Sequence, residues 1–518
     1  MSILVPTAPH ADTLHRDALT VLQPGFVGTA PPDWLRRHLA AGLGSVALFA
    51  RNVTDPGQLA ALTAALREEN PDVLVAIDEE GGDVTRLEAG SGSSWPGNLA
   101  LGAVDDPALT RDVARELGRA LAACGVNYNW APSADVNSNP GNPVIGVRSF
   151  GADPGLCARH TAAWVEGLQS AGVAACAKHF PGHGDTAVDS HHGLPVVDVD
   201  VDRLHSRDLL PFKAAIRAGA KAVMTAHIVV PALDTDHPAT LSRAVLHDLL
   251  RAAPEDGGLG YDGLIVTDGI EMGAIADTYG TAEGTVLALA AGADAICVGG
   301  GLADEETVLH LRDAVVAAVR AGRIPEQRLA EAADRVRRLG AWARARAAAA
   351  VPVEPDLAVG LRAARRALRV VRAPGRSWTP VTERPYVASF SPAANIAVGD
   401  ATPWGVAGML AARLPGTRTR GIGPADAAPD RRAALVGEVL AEAQDRRIVL
   451  VVRDVHRHAW MAAAVEDLLA ARPDAAVVEM GVPQAPPVGA LHVATHGAAR
   501  VCGLAAVEVL TGQPPALG

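Results

Sequence analysis

The sequence predicts an α/β fold in which a TIM-type (β/α)8 barrel is followed by a smaller α/β sandwich domain. Short apolar runs alternate with Ala/Leu/Arg-rich helical segments through the first 345 residues. Continuous apolar strands separated by helices are typical of a parallel sheet that helices cover. Seven runs are clear and an eighth is expected near the N-terminus, a number that favours a closed barrel over an open doubly wound sheet.

The predicted barrel strands are short and rich in Val, Ile and Ala. In chain order the runs are SVALFA (45–50), VLVAID (73–78), VNYNWAPSADV (126–136), AACAKH (174–179), KAVMTAH (221–227), GLIVTD (263–268) and ADAICVG (293–299). Amphipathic segments such as 108–125 and 308–322 lie between them and are predicted to be helices.

Polar side chains stand at the C-terminal ends of nearly all these runs. They are Arg51 and Asn52, Asp78 and Glu79, Asp135, Lys178 and His179, His227, and Asp268. A parallel barrel gathers these ends on one face, where its active site is built. Strands also end in polar residues simply because loops begin there, but that alternative predicts Ser, Gly and Asn as often as Asp, His and Lys.

The C-terminal third of the chain has a different organisation. We predict a catalytic barrel over 1–345, a helix and linker rich in Ala, Arg and Pro over 346–384, and a second domain over 385–518. In the second domain, YVASF, RRIVLVV and AAVVEMG read as strands, and residues 492–512 read as a strand, a glycine turn and a closing helix.

Composition excludes several classes of protein. The 46 Lys and Arg residues against 58 Asp and Glu give a net charge of −12, which argues against binding to nucleic acid or an anionic membrane. The five cysteines are widely spaced without a C-x-x-C motif, so neither a disulfide framework nor a thiolate metal site is indicated. The N-terminal residues lack an export signal, and the near-apolar stretch 284–303 contains an Asp and a glycine run; we therefore expect a cytoplasmic protein.

The densest group of reactive side chains is the segment KHFPGHGDTAVDSHH (178–192). His179 and His183 have the i, i+4 spacing of a helical metal site, but the Pro and Gly residues around His183 oppose a helix. A metal site built from Asp185, Asp189, His191 and His192 and a purely structural loop remain alternatives. The third interpretation is a loop that carries the dyad Asp189–His191, in which the carboxylate orients the imidazole for acid/base chemistry.

Two further groups could bind or attack a substrate. Asp268 ends an apolar run and is followed by Gly, a position that suits a carboxylate nucleophile as well as a helix N-cap. Asp78, Arg86 and Arg148 lie in the segments IDEEGGDVTRL and NPVIGVRSFG. Together with Lys178 and His179, they would supply the hydrogen bonds that hydroxyls and an amide require.

These motifs together resemble the family 3 glycoside hydrolases, specifically the β-N-acetylglucosaminidase branch that trims peptidoglycan fragments. The matching segments span about 250 residues in family order and are FVGTAPPDWLRRHLAAGLGSVALFARN, IDEEGGDVTRL, NPVIGVRSFG, KHFPGHGDTAVDSHHGLP, VMTAHIVVPAL with PATLS, and GLIVTDGIEMGAI. The segment 492–512 also resembles the closing segment of two-domain members.

The resemblance implies a role for each candidate residue. Asp268 falls on the nucleophile position, and His191 with Asp189 falls on the acid/base of a loop. The positions that hold N-acetylglucosamine correspond to Asp78, Arg86, Arg148, Lys178 and His179. The chain departs from the family where Glu79 replaces the usual Gln and where Gly269–Ile270 replaces Asp or Ala followed by Leu.

The implied activity is a retaining exo-β-N-acetylglucosaminidase that acts on a small β-linked carbohydrate and needs no metal or other cofactor. Since an imidazole base does not repel an anion, phosphate is an alternative acceptor, and the enzyme would then be a phosphorylase. Two alternatives from other classes are a metal-dependent barrel hydrolase that uses the histidine loop and a non-catalytic sugar-binding protein. The role of the second domain, for instance of the loop around Arg453, Asp454 and His456, stays open.

Overall fold

The computed structural model describes residues 8–189, 193–375, 378–392 and 402–512, which divide into two units. The first unit takes the described residues within 1–79, 110–145 and 152–355, and the second takes those within 80–109, 146–151 and 356–518. Two segments that the sequence places in the barrel range, 80–109 and 146–151, thus group with the C-terminal part of the chain.

The described part of the first unit contains eight parallel strands. They are β1 (Leu22–Pro24), β2 (Ser45–Leu48), β3 (Leu74–Ile77), β4 (Tyr128–Asn129), β5 (Ala174–Phe180), β6 (Ala222–Thr225), β7 (Leu264–Val266) and β8 (Ile296–Val298). Strands β2 to β7 form one sheet in chain order, and β1 pairs with β8. A bridge between Val266 and Ala295 links β7 to the start of β8, and Ser45 Oγ donates to the Leu22 carbonyl across β2 and β1 at 3.3 Å. This curled sheet confirms the predicted α/β class, and β1 is the strand expected near the N-terminus.

Helices alternate with these strands. In chain order they are α1 (Ala8–Thr20), α2 (Asp33–Ala40), α3 (Pro56–Glu69), α4 (Asn98–Val104), α5 (Pro107–Ala123), α6 (Pro154–Ser170), α7 (Val201–Arg203), α8 (Leu209–Arg217), α9 (Gly273–Tyr279), α10 (Thr281–Ala291), α11 (Glu305–Arg320) and α12 (Glu326–Ala349). Helix α4 belongs to the second unit. Two π-helical segments also occur, Leu204–Asp208 between α7 and α8, and Ala244–Arg251 before β7.

Local sequence explains where several of these helices begin. The carboxylate of Asp55 accepts the N–H of Gln58 at the start of α3, and Pro56 occupies the first helical position. Asp153 caps α6 in the same way, and Asp304 caps α11. An aspartate before the first turn satisfies backbone donors that have no partner within the helix.

The core of the first unit is built from alternate strand residues. One cluster of buried side chains takes every second residue from the strands and adds residues of α12; its strand members include Ala47, Leu74, Ala76, Tyr128, Ala174, Cys176, Ala222, Met224, Leu264 and Val266. Because side chains alternate across a strand, the residues between them face the surrounding helices.

The described part of the second unit contains a six-stranded sheet. Its strands are β9 (Arg369–Arg372), β10 (Tyr386–Phe390), β11 (Arg418–Ile422), β12 (Ile448–Val452), β13 (Ala476–Glu479) and β14 (Leu491–Ala494), in the order β11-β10-β12-β13-β14-β9 with β9 antiparallel. Its helices are α13 (Ala358–Ala367), α14 (Ala407–Arg413), α15 (Arg432–Ala443), α16 (Ala459–Ala471) and α17 (Arg500–Thr511). Two buried clusters contain alternate residues of β12 and β13, such as Val449 and Val451 in one and Leu450 and Val452 in the other, so both faces of the sheet are covered.

The two strands that the sequence pattern does not predict lie at the edges of this sheet. Strand β9 (RVVR) falls inside the predicted linker and β11 (RTRGI) lacks an apolar run. Both carry arginines, which is a common way of protecting an unpaired sheet edge from aggregation. Helix α13 also lies inside the range predicted to be a helix and linker, 346–384, and residues 358–372 belong to the second unit.

Candidate active site

Three candidate residues continue the inner face of the barrel strands. Asp78 stands two residues after Ala76, Lys178 two after Cys176, and Asp268 two after Val266. The three apolar residues all belong to the buried cluster of alternate strand residues described above. A period of two in a strand therefore carries the polar side chains onto the same face, at the carboxyl ends of β3, within β5 and after β7. The barrel thus presents polar groups where TIM-type barrels hold their substrates.

Lys178 and Asp78 form an ion pair. Lys178 Nζ lies 2.5 Å from Asp78 Oδ1, and the lysine side chain is only 3% exposed. An ammonium this deeply buried requires a carboxylate partner, because removing the charge from water is otherwise very costly. The structure therefore brings together two of the predicted sugar-binding residues.

The charges of Asp78, Lys178 and Asp268 all act on one buried thiol. Burial raises the pKa of Cys176 to about 12; Asp78 and Asp268 act in the same direction, and Lys178 acts against them. Burial is also the main cause that raises the pKa of Cys297; the charges of Glu271, Asp268 and Asp78 raise it further, and Lys178 acts against them. The charges of all three groups therefore act on the buried thiols of β5 and β8.

Asp135 binds and orients the imidazole ring of His179. Its Nδ1 lies 2.7 Å from Asp135 Oδ2, while Asp135 Oδ1 accepts the backbone N–H of His183 at 2.7 Å. Burial alone would raise the pKa of Asp135, but the charge and hydrogen bond of His179 outweigh it and lower the pKa. A carboxylate on Nδ1 directs the other ring nitrogen outward and fixes the orientation of the imidazole.

The segment that follows β5 is held in place by hydrogen bonds and close packing. Asn142 Nδ2 donates to the His183 carbonyl at 2.9 Å, and His183 Nδ1 lies 2.8 Å from Thr186 Oγ1. A Cβ at Gly184 would lie 1.8 Å from the Val136 carbonyl oxygen, so only glycine fits there. Burial, then the neighbouring His179, lowers the pKa of His183 to about 4.

Asp189 is half-buried, and its carbonyl accepts the N–H of Gly193 at 3.2 Å. Its predicted partner, His191, lies outside the described residues. Among the residues that the structure does describe, no group of three or more His, Cys, Asp and Glu side chains could hold a metal ion. His179 and His183 instead place their Nδ1 atoms on Asp135 and Thr186.

The backbone beside Asp268 is fixed by His227. Asp268 Oδ1 accepts the N–H of Gly269 at 2.8 Å, and His227 Nε2 lies 2.8 Å from the Gly269 carbonyl oxygen. His227 is itself held through Nδ1, 2.8 Å from Thr240 Oγ1, and is fully buried. Since the carbonyl accepts, Nε2 of His227 carries the proton.

A second carboxyl, Glu271, lies near Asp268. Burial raises the pKa of Glu271, and the charge of Asp268 adds to the shift. Glu271 Oε2 accepts the N–H of Gly299 at 2.9 Å, and a Cβ at position 299 would lie 2.4 Å from Glu271 Oε1. Glycine at 299 therefore makes room for this carboxyl, whose place sequence reasoning did not identify.

Arg86 and Arg148 belong to the second unit. Arg148 ends a short 3₁₀ turn and binds Glu80 through Nε at 3.0 Å and Nη2 at 2.7 Å, and both side chains are buried. Asn98 Nδ2 donates to the Arg148 carbonyl at 2.7 Å. Arg86 is half-buried. The partner of Arg148 was not predicted from the sequence, although Glu80 lies in one of the motifs.

Comparison with known proteins identifies relatives of both units. Residues 30–339 match the model of the glycosyl hydrolase family 3 N terminal domain. "Beta-hexosaminidase A" of Pseudoalteromonas piscicida is 39% identical over 287 residues, which cover 51% of this chain and 47% of that protein. The "Beta-hexosaminidase" of Thiobacillus denitrificans is 38% identical over 288 residues, which cover 54% of this chain and 78% of the relative. The match thus spans about half the length of the first relative.

A solved structure resembles nearly the whole chain. It is a glycoside hydrolase family 3 β-N-acetylglucosaminidase from Paenibacillus sp. str. FPU-7, with a TM-score of 0.85, 36% identity and 97% coverage of both chains. No helix among the described residues is long and apolar enough to cross a membrane.

Proposed function

Because the chain belongs to glycosyl hydrolase family 3, we propose that it is a retaining exo-β-N-acetylglucosaminidase. It releases N-acetylglucosamine from β-linked glycosides such as peptidoglycan fragments. The observation that carries the proposal is that Asp268 follows β7 two residues after the buried Val266, as Asp78 and Lys178 of the ion pair follow Ala76 and Cys176, and that all three charges act on the buried Cys176. The names of the relatives support the aminosugar as the substrate class.

The terminal sugar is bound by charged side chains that form hydrogen bonds with its hydroxyls and amide. Asp78 accepts from hydroxyls, while Lys178 and His179 donate; the family resemblance adds Arg86 and Arg148 to the residues proposed to bind the sugar. Because Lys178 is paired with Asp78 and His179 with Asp135, these groups are oriented before substrate arrives. Preorganised polar groups of this kind favour the transition state without a cost of reorganisation.

The reaction proceeds by double displacement. A carboxylate oxygen of Asp268 attacks the anomeric carbon, the bond from that carbon to the leaving oxygen breaks, and the imidazolium of His191 protonates the departing group. Neutral His191 then removes a proton from water, whose oxygen attacks the anomeric carbon and releases Asp268. Asp189 orients His191 and stabilises its charged form between the two steps.

His227 and the Gly269 N–H keep Asp268 in place during both steps. The His227–Gly269 bond fixes the peptide that follows the nucleophile, and the N–H of Gly269 binds one carboxylate oxygen. The other carboxylate oxygen is then directed to the substrate. Small errors in the position of a nucleophile reduce rates strongly, so this support has a direct effect on turnover.

The proposal is tested with an aryl β-N-acetylglucosaminide followed by proton NMR. We expect the β-anomer of N-acetylglucosamine to form first, and Asp268→Ala to lose turnover while its circular dichroism stays unchanged. Initial release of the α-anomer, or activity in Asp268→Ala, would refute the mechanism.

The same assay with added phosphate separates hydrolysis from phosphorolysis, since only the latter yields N-acetylglucosamine 1-phosphate. Exhaustive chelation leaves activity intact unless the metal-dependent alternative is correct.

A further inference from the structure

The loop that carries Arg86 is bound on both sides by arginines from the C-terminal part of the chain. This loop, residues 80–97, begins two residues after Asp78 and ends at α4. Asp83 precedes Arg86 by three residues, and Glu88 follows it by two. Each of these acids pairs with an arginine of the same unit, Arg453 for Asp83 and Arg500 for Glu88.

Asp83 is buried where it pairs with the half-buried Arg453. Arg453 follows β12, and its guanidinium binds Asp83 Oδ2; the side chains are 15% and 2% exposed. Asp83 Oδ1 also accepts the N–H of Ala498 at 2.7 Å, just before α17. Arg453 lies over the ring of Trp404, 5.8 Å from its centre, which restricts the guanidinium further. One carboxylate therefore joins the Arg86 loop to two separate C-terminal segments.

Glu88 and Arg500 close the other side of the loop. Glu88 accepts the N–H of Ser94 and the hydroxyl of Ser94, both at 2.6 Å, and Arg500 Nη2 at 3.2 Å. Arg500 Nε also donates to the Gly92 carbonyl at 3.2 Å, and its Nη2 contacts Ser94 Oγ. Arg500 is the first residue of α17, so this helix fixes the turn formed by residues 88–94.

The backbone of the loop leaves little space for an alternative conformation. Gly82 has a φ of +64°, and a Cβ there would lie 2.5 Å from the Gly97 Cα. Gly82 N also donates to the Trp95 carbonyl at 2.8 Å, so the two ends of the loop touch. The buried pair of Glu80 and Arg148 fixes its beginning.

We propose that Arg453 and Arg500 are positioning residues for substrate recognition, which hold Arg86 in the geometry that binds the sugar. The inference rests on the proposed function, in which Arg86 contacts N-acetylglucosamine. It assigns the C-terminal part of the second unit a role in affinity for the substrate. The chemical step, carried out by Asp268 and His191, does not depend on it.

The test compares steady-state kinetics of Arg453→Ala and Arg500→Ala with the parent protein. We expect KM for an aryl β-N-acetylglucosaminide to rise about tenfold for Arg453→Ala, the effect of one lost charged hydrogen bond, and less for the more exposed Arg500. We expect kcat to stay near the parent value. Asp83→Asn keeps an acceptor for Ala498 and removes the ion pair, so we expect it to raise KM as Arg453→Ala does. Combining Asp83→Asn with Arg453→Ala should raise KM no further than either single substitution.

A matched control is Arg432→Ala, which removes an ion pair of 2.6 Å to Asp467 between α15 and α16 of the same unit. This variant should leave KM unchanged even if it lowers the melting temperature. Arg453→Lys, which keeps the charge, should restore part of the affinity and serves if Arg453→Ala does not fold. Equal KM changes in the Arg432 and Arg453 variants would reduce the effect to general destabilisation and overturn the inference.

Arg86→Ala separates failure of this inference from failure of the proposed function. If Arg86→Ala leaves KM unchanged, the sugar-binding role of Arg86 is wrong and the proposed site must be revised. If Arg86→Ala raises KM while Arg453→Ala and Arg500→Ala do not, the site stands and the positioning role alone is refuted.

Discussion

Lys178 Nζ lies 2.5 Å from Asp78 Oδ1, so the ammonium at the end of β5 neutralises the carboxylate that follows β3. The chain contains three lysines among its 46 Lys and Arg residues, and Lys178 is the one whose charge, like that of Asp268, acts on the buried Cys176. A compact ammonium with three donors can bind Asp78 and still offer protons to a sugar hydroxyl. The pair therefore combines a structural role with its proposed role in sugar recognition.

Replacing Lys178 with Met should reduce both stability and activity. Removing one partner of a buried ion pair costs about 3 kcal/mol of the free energy of unfolding, which urea denaturation measures. Adding Asp78→Asn should restore part of the stability but none of the activity, because we propose that both residues bind the sugar. A double variant as unstable as the sum of the single ones would show that the two side chains act independently.

Removing the imidazole of His227 should slow turnover without changing substrate affinity. His227→Ala loses the hydrogen bond to the Gly269 carbonyl, and we expect kcat to fall about tenfold, the value of one buried hydrogen bond. Thr240→Val, which removes the partner of His227 Nδ1, should give a smaller decrease in the same direction. His237→Ala, on a half-exposed side chain, is the control and should have no effect. An unchanged kcat in His227→Ala would exclude a positioning role.

His183 should make the folded state less stable in acid. Its pKa falls from 6.5 to about 4 in the folded protein, so the unfolded chain binds the proton more readily. The stability from the neutral ring is complete above pH 6.5 and is lost as the pH falls toward 4, by about 3 kcal/mol in all. Asp208, whose pKa burial raises to about 6, acts in the opposite direction.

The contribution of His183 is therefore measured as a difference from a variant. Urea unfolding of the parent protein and of His183→Asn at pH 7 and pH 4.5 should show a smaller loss of stability in the variant. His247→Asn, at a side chain that is 45% exposed, should behave like the parent. An identical pH dependence in the parent and His183→Asn would contradict the assignment.

The inner-face positions of Asp78, Lys178 and Asp268 could be predicted because each depends only on a strand period of two and on the collection of strand ends in a parallel barrel. The role of Asp135 could not be assigned in this way. Its carboxylate contacts both His179 and His183, because the polypeptide between residues 130 and 137 packs against the end of β5. No local spacing encodes this tertiary arrangement.

The same limit applies to the second unit. Helix α17 and strands β10, β12, β13 and β14 were predictable from apolar runs, whereas the edge strands β9 and β11 carry arginine patterns that resemble loops. Grouping of residues 80–109 with the C-terminal part of the chain depends on pairs such as Asp83 with Arg453, which are 370 residues apart. Ion pairs over such distances follow from the fold and cannot be read from composition.

We propose that Asp268 forms a covalent bond with the sugar. The most direct measurement is intact-protein and peptide mass spectrometry after incubation with a 5-fluoro-N-acetylglucosaminyl fluoride, a substrate that forms the glycosyl-enzyme faster than water removes it. We expect an adduct of one sugar per chain, located on the peptide that contains Asp268 and lost in Asp268→Ala. Rapid turnover of a natural substrate with no adduct, or an adduct on another carboxylate such as Glu271, would contradict it.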